Sequence, residues 1–183
     1  MCGFTGCHTP HDASLMDAAL LARMTGALAH RGPDDVTLHR QPGLAFGFNR
    51  LAIIDLAGGR QPIRNEDGDI VLVCNGEIFN HRQLREELKV RGHRFRAEVD
   101  VEVMVHLYEE FGLGFLDRIS GQFAFALYDA RRRICCWRAI RPGSLPCSMY
   151  GGAIPFCSAP RSRRSWNIRW WSAASISPVS TRS

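Results

Sequence analysis

Leu15, Met16, Ala19, Leu20, Met24, Ala27 and Leu28 recur at intervals of three and four. That spacing lines one face of a helix and predicts an amphipathic helix over 14–30, with Asp12 and Ser14 as caps. "HRGPDD" stops it. "LAFGFNRLAIIDL" and "DIVLVCNGEIF" are short, rich in β-branched and aromatic residues and bounded by the turn formers "AGGRQP" and "NEDGD", so both read as strands. "HRQLREELKVRG" returns to helical spacing at Leu84 and Leu88 and ends at Gly92. "DVEVMVHLYEEFG" repeats it with Val103, Met104, Leu107, Tyr108 and Phe111. "GQFAFALYD" alternates as a strand. Strands joined largely by hairpin-length turns, with helices grouped, predict an α+β domain with antiparallel sheets rather than alternating βαβ units.

With 183 residues, 45% of them hydrophobic, the chain can bury a core of ordinary size in one or at most two domains. It contains no apolar run of about twenty residues and no secretory pattern near its start, so no membrane is expected and the cytoplasm is the default location. Seven cysteines, an odd number, fit a reduced compartment better than a disulfide framework. Cys7, His8 and His11 approach a ligand cluster but lack a second close-spaced pair. They read as structural, and no metal is expected.

A net charge of +5 ordinarily suggests nucleic acid or a membrane surface, but its distribution argues otherwise. From Ile134 to Ser183 there are seven arginines, no lysine and no acid; without them the charge falls by seven, from +5 to −2. All four tryptophans and four of the seven cysteines lie there too. Composition shifts abruptly after Arg133, and no nucleic-acid partner is needed to explain it.

The chain opens "MCGFTG", which makes Cys2 the first residue once Met1 is removed. A cysteine there has its own α-amine beside it, a base titrating near ~8 that can take the thiol proton directly or through a water. Nucleophile and base then come from one residue. By itself Met-Cys-Gly fits a buried structural cysteine equally well.

"MCGFTG", "HRGPDD", "FNRLAIIDLAGGRQP", "NEDGDIVLVCNGEIFNH", "VDVEVMVHLYEEFG" and "ISGQFAFALYD" follow one another in an order and spacing that resembles the class II glutamine amidotransferases. The likeness is greatest to the glutaminase domain of glutamine-dependent asparagine synthetase and covers about 2–133. It implies an Ntn-hydrolase fold, an αββα sandwich of two antiparallel sheets between helices, that hydrolyses the side-chain amide of glutamine. Cys2 matches the nucleophile, and Asn75 and Gly76 match the oxyanion hole. An Asn amide and a closely approachable Gly backbone suit that task. Alone, Asn-Gly would read as a hairpin turn. Arg50 matches the clamp on the substrate α-carboxylate, suited to a planar fork of donors. Asp100 and Glu77 match the holders of the α-amino end, although Asp100 also fits a helix N-cap. Leu51, Ala52, Ile53 and Ile54 would line the same pocket. His30 and His81 carry no catalytic role in the family. Two positions depart from its pattern: Asn49 replaces a His or similar residue, and Val101 replaces a Ser or Thr and can donate no hydroxyl.

After "ALYDARRR" the family continues with segments like "LLLARD" and "SEIKALL", whereas this chain reads "ICCWRAIRP". Read from the third base of permitted codons, "ICCWRAIR" becomes compatible with Leu-Leu-Leu-Ala-Arg-Asp-Pro. The same offset makes "AIPFCSAPRSRRSWN" compatible with Asp-Thr-Leu-Leu-Phe-Gly-Ser-Glu-Ile-Lys-Ala-Leu-Leu-Glu, and "NIRWWSAAS" with His-Pro-Leu-Val-Glu-Arg-Arg. The expectation is therefore a glutaminase domain over 2–133, incomplete at its C-terminal end, and an out-of-frame, disordered or non-native tail over 134–183. Sequencing of the gene checks this: an offset frame that does not stay open, with codon constraint in the printed frame, refutes it.

The ATP-pyrophosphatase signature "SGGxDS" of the family's synthetase domain does not occur in the chain. Glutamine is then the expected ligand, with no cofactor for its hydrolysis. Aspartate, ATP and Mg are expected only through a synthetase domain that is absent here. The rival readings are the glutaminase part of another class II enzyme, such as a sugar-phosphate or phosphoribosyl amidotransferase, and an inactive fragment acting by association.

Overall fold

A computed structural model describes residues 2–8, 17–51, 59–140, 147–149, 154–158 and 169–171. The strands are β1 Gly3–His8, β2 Asp35–Gln41, β3 Leu44–Arg50, β4 Ile63–Arg64, β5 Ile70–Ile78, β6 Gly121–Asp129, β7 Ile134–Ile140, β8 Cys147–Met149, β9 Ile154–Ser158 and β10 Arg169–Trp171. The α-helices are α1 Ala18–Gly26, α2 His81–Val90 and α3 Val103–Phe111. Two five-stranded sheets result, ordered β2-β3-β1-β9-β8 and β10-β7-β6-β5-β4, and every pairing is antiparallel.

Alternation along the strands sorts the side chains into layers. Phe4, Leu44, Phe46 and Phe48 of the first sheet meet Val71, Val73, Ala124, Ala126 and Tyr128 of the second, and this is the inter-sheet core. The alternate residues Leu72, Cys74 and Ile78 of β5, with Phe123, Phe125 and Leu127 of β6, face the other way. There they pack on Leu84 and Leu88 of α2 and on Met104, Leu107 and Tyr108 of α3. On the outside of the first sheet, Leu21 of α1 packs on Ala45, and a side chain at Gly47 would collide with Thr25. Small residues on β3 thus let α1 lie close. The order is helix, sheet, sheet, helices: the expected αββα sandwich.

Several boundaries differ from the sequence reading. Helix α1 starts at Ala18 with Asp17 as its cap, its carboxylate accepting from the Leu20 N–H at 3.3 Å. Asp12 and Ser14 lie outside the described residues. The helix stops at Gly26, short of His30, and a 3-10 turn spans Ala29–Arg31. Strand β2 was not foreseen. It is an edge strand whose burial merely alternates between partial and none, with Val36 and Leu38 exposed, so its sequence carries little apolar signal. In the stretch after Arg133, expected to be a disordered or non-native tail, four strands lie among the described residues. Strand β7 pairs with β6 from Asp129↔Ile134 to Phe123↔Ile140, and β9 pairs with β1. A strand edge with unpaired N–H and C=O groups is covered by whichever extended segment follows it closely, and "ICCWRAI" alternates well enough to bury Cys135 and Cys136 on opposite faces.

Candidate active site

Gly3 of β1 lies opposite Asn49 of β3, so the start of one strand sits beside the end of the other. Cys2 therefore meets Leu51. The Leu51 N–H donates to the Cys2 sulfur at 3.3 Å, and the thiol in turn points to the Leu51 carbonyl at 3.6 Å. These contacts orient a half-buried thiol at the rim of the inter-sheet core.

Arg50, next in sequence, is the last residue of β3 and is buried. Its carbonyl accepts from the Asp34 N–H at 3.0 Å. A Cβ on Gly32 would strike the Asn49 carbonyl, which explains the glycine of "HRGPDD": this turn is pressed against the end of β3. Asn49, the first departure from the family pattern, is fully buried and donates from Nδ2 to the Thr25 carbonyl at 2.8 Å. It ties β3 to α1. Val101, the second, is buried in the core under the helices.

The second half of the site is the open edge of β5. Strand β4 covers that edge only at Val71 and Leu72. Beyond it, side chains replace the missing strand. The Gln61 amide accepts from the Cys74 N–H at 2.6 Å and donates to the Cys74 carbonyl at 2.7 Å. The Asp100 carboxylate accepts from the Ile78 N–H through Oδ2 at 2.6 Å. In an antiparallel ladder every second residue turns its N–H to the same side, and Phe79 N–H duly points the other way, to the Ser120 carbonyl. The N–H of Gly76 therefore lies on the open edge between two capped neighbours, and no hydrogen bond holds it among the described residues.

Gly76 has φ 151°, and a Cβ there would collide with the Gln122 carbonyl and Phe123 Cα. Only glycine fits. Asn75 is buried beside it, and among the described residues no hydrogen bond engages its side-chain amide. Burial, with Asp100 and Cys2 nearby, pushes the Cys74 thiol well above its usual range, so this second sulfur stays protonated.

The structure thus brings Cys2, Arg50 and Leu51 together at one strand end, and Asn75, Gly76 and Asp100 along the edge of β5, with β1 packed across from β5. Glu77 is exposed at the next step of that strand. Ala52, Ile53 and Ile54 lie outside the described residues. Asp100 is not a helix cap: the 3-10 turn Asp100–Glu102 follows Val99 with no side-chain cap. Cys7 and His8 are consecutive on β1 and so face opposite ways. Burial lowers the His8 pKa, and its ring packs tilted against Tyr128 at 5.4 Å between centroids. Gln61 was missed. It had been read as part of a turn, and only a glutamine directly before a proline at a strand start could have hinted at it.

Comparison with known proteins gives one consistent answer. The family model for the glutamine amidotransferase domain matches residues 1–161. A Bacillus subtilis (strain 168) protein named asparagine synthetase [glutamine-hydrolyzing] 2 is 46% identical over 113 residues, covering 62% of this chain and 15% of that protein. A rice protein of the same name (Oryza sativa subsp. japonica) is 39% identical over 152 residues, 83% of this chain and 25% of that one. The chain thus spans a quarter or less of the length of these relatives. Among solved structures, glutamine phosphoribosylpyrophosphate amidotransferase from B. subtilis, complexed with ADP and GMP, superposes with a TM-score of 0.63 at 22% identity, over 86% of this chain and 42% of that one. The allosteric regulatory enzyme of purine biosynthesis gives 0.64 at 19%, over 86% and 42%. At such identities these two speak for the fold alone.

Proposed function

This chain belongs to the glutamine amidotransferase domain family, and from that premise we propose that it hydrolyses the side-chain amide of glutamine, as the glutaminase part of an asparagine synthetase. One observation carries the reading: among the described residues the edge of β5 leaves the Gly76 N–H open between Gln61-capped and Asp100-capped neighbours. With the Asn75 amide beside it, this supplies two donors where charge develops on a carbonyl oxygen.

In this mechanism Met1 is removed, and the freed α-amine of Cys2 takes the thiol proton. The sulfur attacks the amide carbon, and the oxyanion rests on Gly76 N–H and Asn75. The protonated amine then gives its proton to the leaving nitrogen, ammonia departs, and water cleaves the γ-glutamyl thioester. Arg50 binds the α-carboxylate. Asp100, whose Oδ1 makes no hydrogen bond among the described residues, accepts from the α-ammonium together with Glu77, and Leu51 to Ile54 line the pocket. No cofactor enters these steps. The ammonia goes to aspartate in an ATP- and Mg-dependent step on a synthetase part, and the protein works in the cytoplasm. No helix among the described residues is long and apolar enough to cross a membrane.

Ammonia release from glutamine tests the reading, together with the mass of the N-terminal peptide and trapping of the thioester by hydroxylamine. Cys2→Ala is expected to abolish release and trapping. Turnover that survives this change overturns the nucleophile assignment. No turnover by a folded, Met1-processed chain supports a fragment acting by association.

A further inference from the structure

Behind the second sheet, four side chains converge that glutamine hydrolysis does not use. Glu66 lies in the turn from β4 to β5, His93 just beyond α2, and His106 and Glu109 one turn apart on α3. His106 Nδ1 stands 3.3 Å from Glu66 Oε2 and 3.2 Å from Glu109 Oε2. His93 Nδ1 stands 3.5 Å from Glu66 Oε1 and 3.6 Å from Glu109 Oε2. These nitrogen–oxygen distances, taken to one or the other Glu66 oxygen, are near the about 3.3–3.6 Å between donor atoms each about 2.0–2.2 Å from a tetrahedral zinc ion. One donor atom from each residue lies within 4.8 Å of all the others.

The surroundings orient these atoms inward. Asn65 Nδ2 donates to Glu109 Oε1 at 2.8 Å, and the Arg94 N–H donates to Glu66 Oε1 at 2.8 Å. His93 Nε2 lies 3.2 Å from Glu110 Oε1. A carboxylate beside the outer ring nitrogen is the usual second partner of a metal-binding His, and it leaves Nδ1 facing Glu66 and Glu109. His106 is fully buried, and its Nε2 has no hydrogen-bond partner, Glu102 Oε1 being 4.0 Å away. Its Nδ1, in hydrogen-bond reach of Glu109 Oε2, is the ring nitrogen that faces the cluster. Two ring nitrogens and two carboxylates thus converge on one point.

We propose that Glu66, His93, His106 and Glu109 bind a divalent transition ion of the zinc class through two imidazole nitrogens and two carboxylate oxygens. Imidazole donors select such ions over Mg or Ca, and two carboxylates balance a double positive charge. With four protein ligands the site is structural. It clips the β4–β5 turn to α2 and to α3, the helix that follows Asp100. No close-spaced pair of cysteines or histidines announces it in the sequence.

The test uses the full chain after chelator treatment, with Cys2→Ala alongside to remove the reactive thiol as a competing ligand. Zinc is titrated calorimetrically, bound metal is counted, and the ligands are identified by X-ray absorption. One equivalent is expected, with nitrogen and oxygen neighbours at about 2.0–2.2 Å and a rise in melting temperature on zinc addition. His93→Gln and Glu109→Gln, both at partly exposed positions, should each weaken binding by more than about tenfold. A folded wild-type chain that takes up no zinc overturns the proposal. So does sulfur at about 2.3 Å, or binding unchanged in both variants. Ammonia release is read in parallel, and because no step of glutamine hydrolysis passes through these four residues, failure here leaves the Cys2 assignment standing.

Discussion

Replacing Gln61 by leucine should damage a site that Gln61 never touches. The side chain fills the place of a missing strand, bonding both the N–H and the carbonyl of Cys74 at 2.6 and 2.7 Å. Leucine keeps most of the volume and offers no polar atom. Cys74 is 2% exposed, so water cannot readily replace the amide, and each orphaned backbone group costs about 1–3 kcal/mol. Together they cost about 2–6 kcal/mol, which at about 2–4 °C per kcal/mol lowers the melting temperature by at least about 4 °C. The next two residues along the strand are Asn75 and Gly76, so slack at Cys74 misplaces both proposed oxyanion donors. Removal of one such donor outright costs about 10²–10³ in rate; loosened donors should cost kcat about tenfold or more, with KM changed less. The assay is steady-state ammonia release at a temperature where circular dichroism shows the variant folded, with thermal melts alongside. A variant with the wild-type melting temperature and kcat refutes the reasoning. A lower melting temperature with kcat intact confines Gln61 to stability.

Asp100 has two tasks that substitution can separate. Asp100→Asn keeps an acceptor for the Ile78 N–H and removes the charge, so KM for glutamine should rise by about tenfold, the worth of about 1.4 kcal/mol of lost ion pairing, at an unchanged melting temperature; Asp100→Ala should add a loss of about 1–3 kcal/mol in urea unfolding. Tyr108 donates to Asp129 Oδ2 at 3.1 Å in the core, and burial together with the Asp129 charge pushes its pKa up to about 12. The unfolded phenol ionises near ~10 while the folded one stays neutral, so stability present below pH ~10 should fall as pH rises toward ~12. Urea midpoints at intervals across that range should fall less steeply in Tyr108→Phe.

How far each feature could be read in advance follows from how local its cause is. The helical spacing of Leu84 and Leu88, and of Met104, Leu107 and Tyr108, is a one-dimensional imprint of a buried face, and α2 and α3 appear where it places them. The alternation of β5 and β6 is the same kind of imprint. Strand β2 left almost none, because it borders solvent on a sheet edge. The tail's strands were not foreseen either, since pairing with β6 and β1 depends on what those edges leave open rather than on the tail's composition. Within the site, Cys2, Arg50, Asn75, Gly76 and Asp100 could be named from ordered blocks of sequence. The work of Gln61 could not, because a side chain imitating a strand has no pattern of its own.

By itself the sequence determined which residue types stand at which intervals. That was enough for the αββα class and the family, and to single out Cys2 as the thiol to test. Only the tertiary structure decided that β4 pairs with just two residues of β5, that Gln61 and Asp100 take over beyond it, and that among the described residues the Gly76 N–H is left open between them. Such an opening exists only where the partners of an edge run out, and those partners, Gln61 and Asp100, come from opposite sides of β5 in the chain. The meeting of Glu66, His93, His106 and Glu109 has the same origin: residues far apart in sequence become neighbours once two helices and a turn share one face of a sheet.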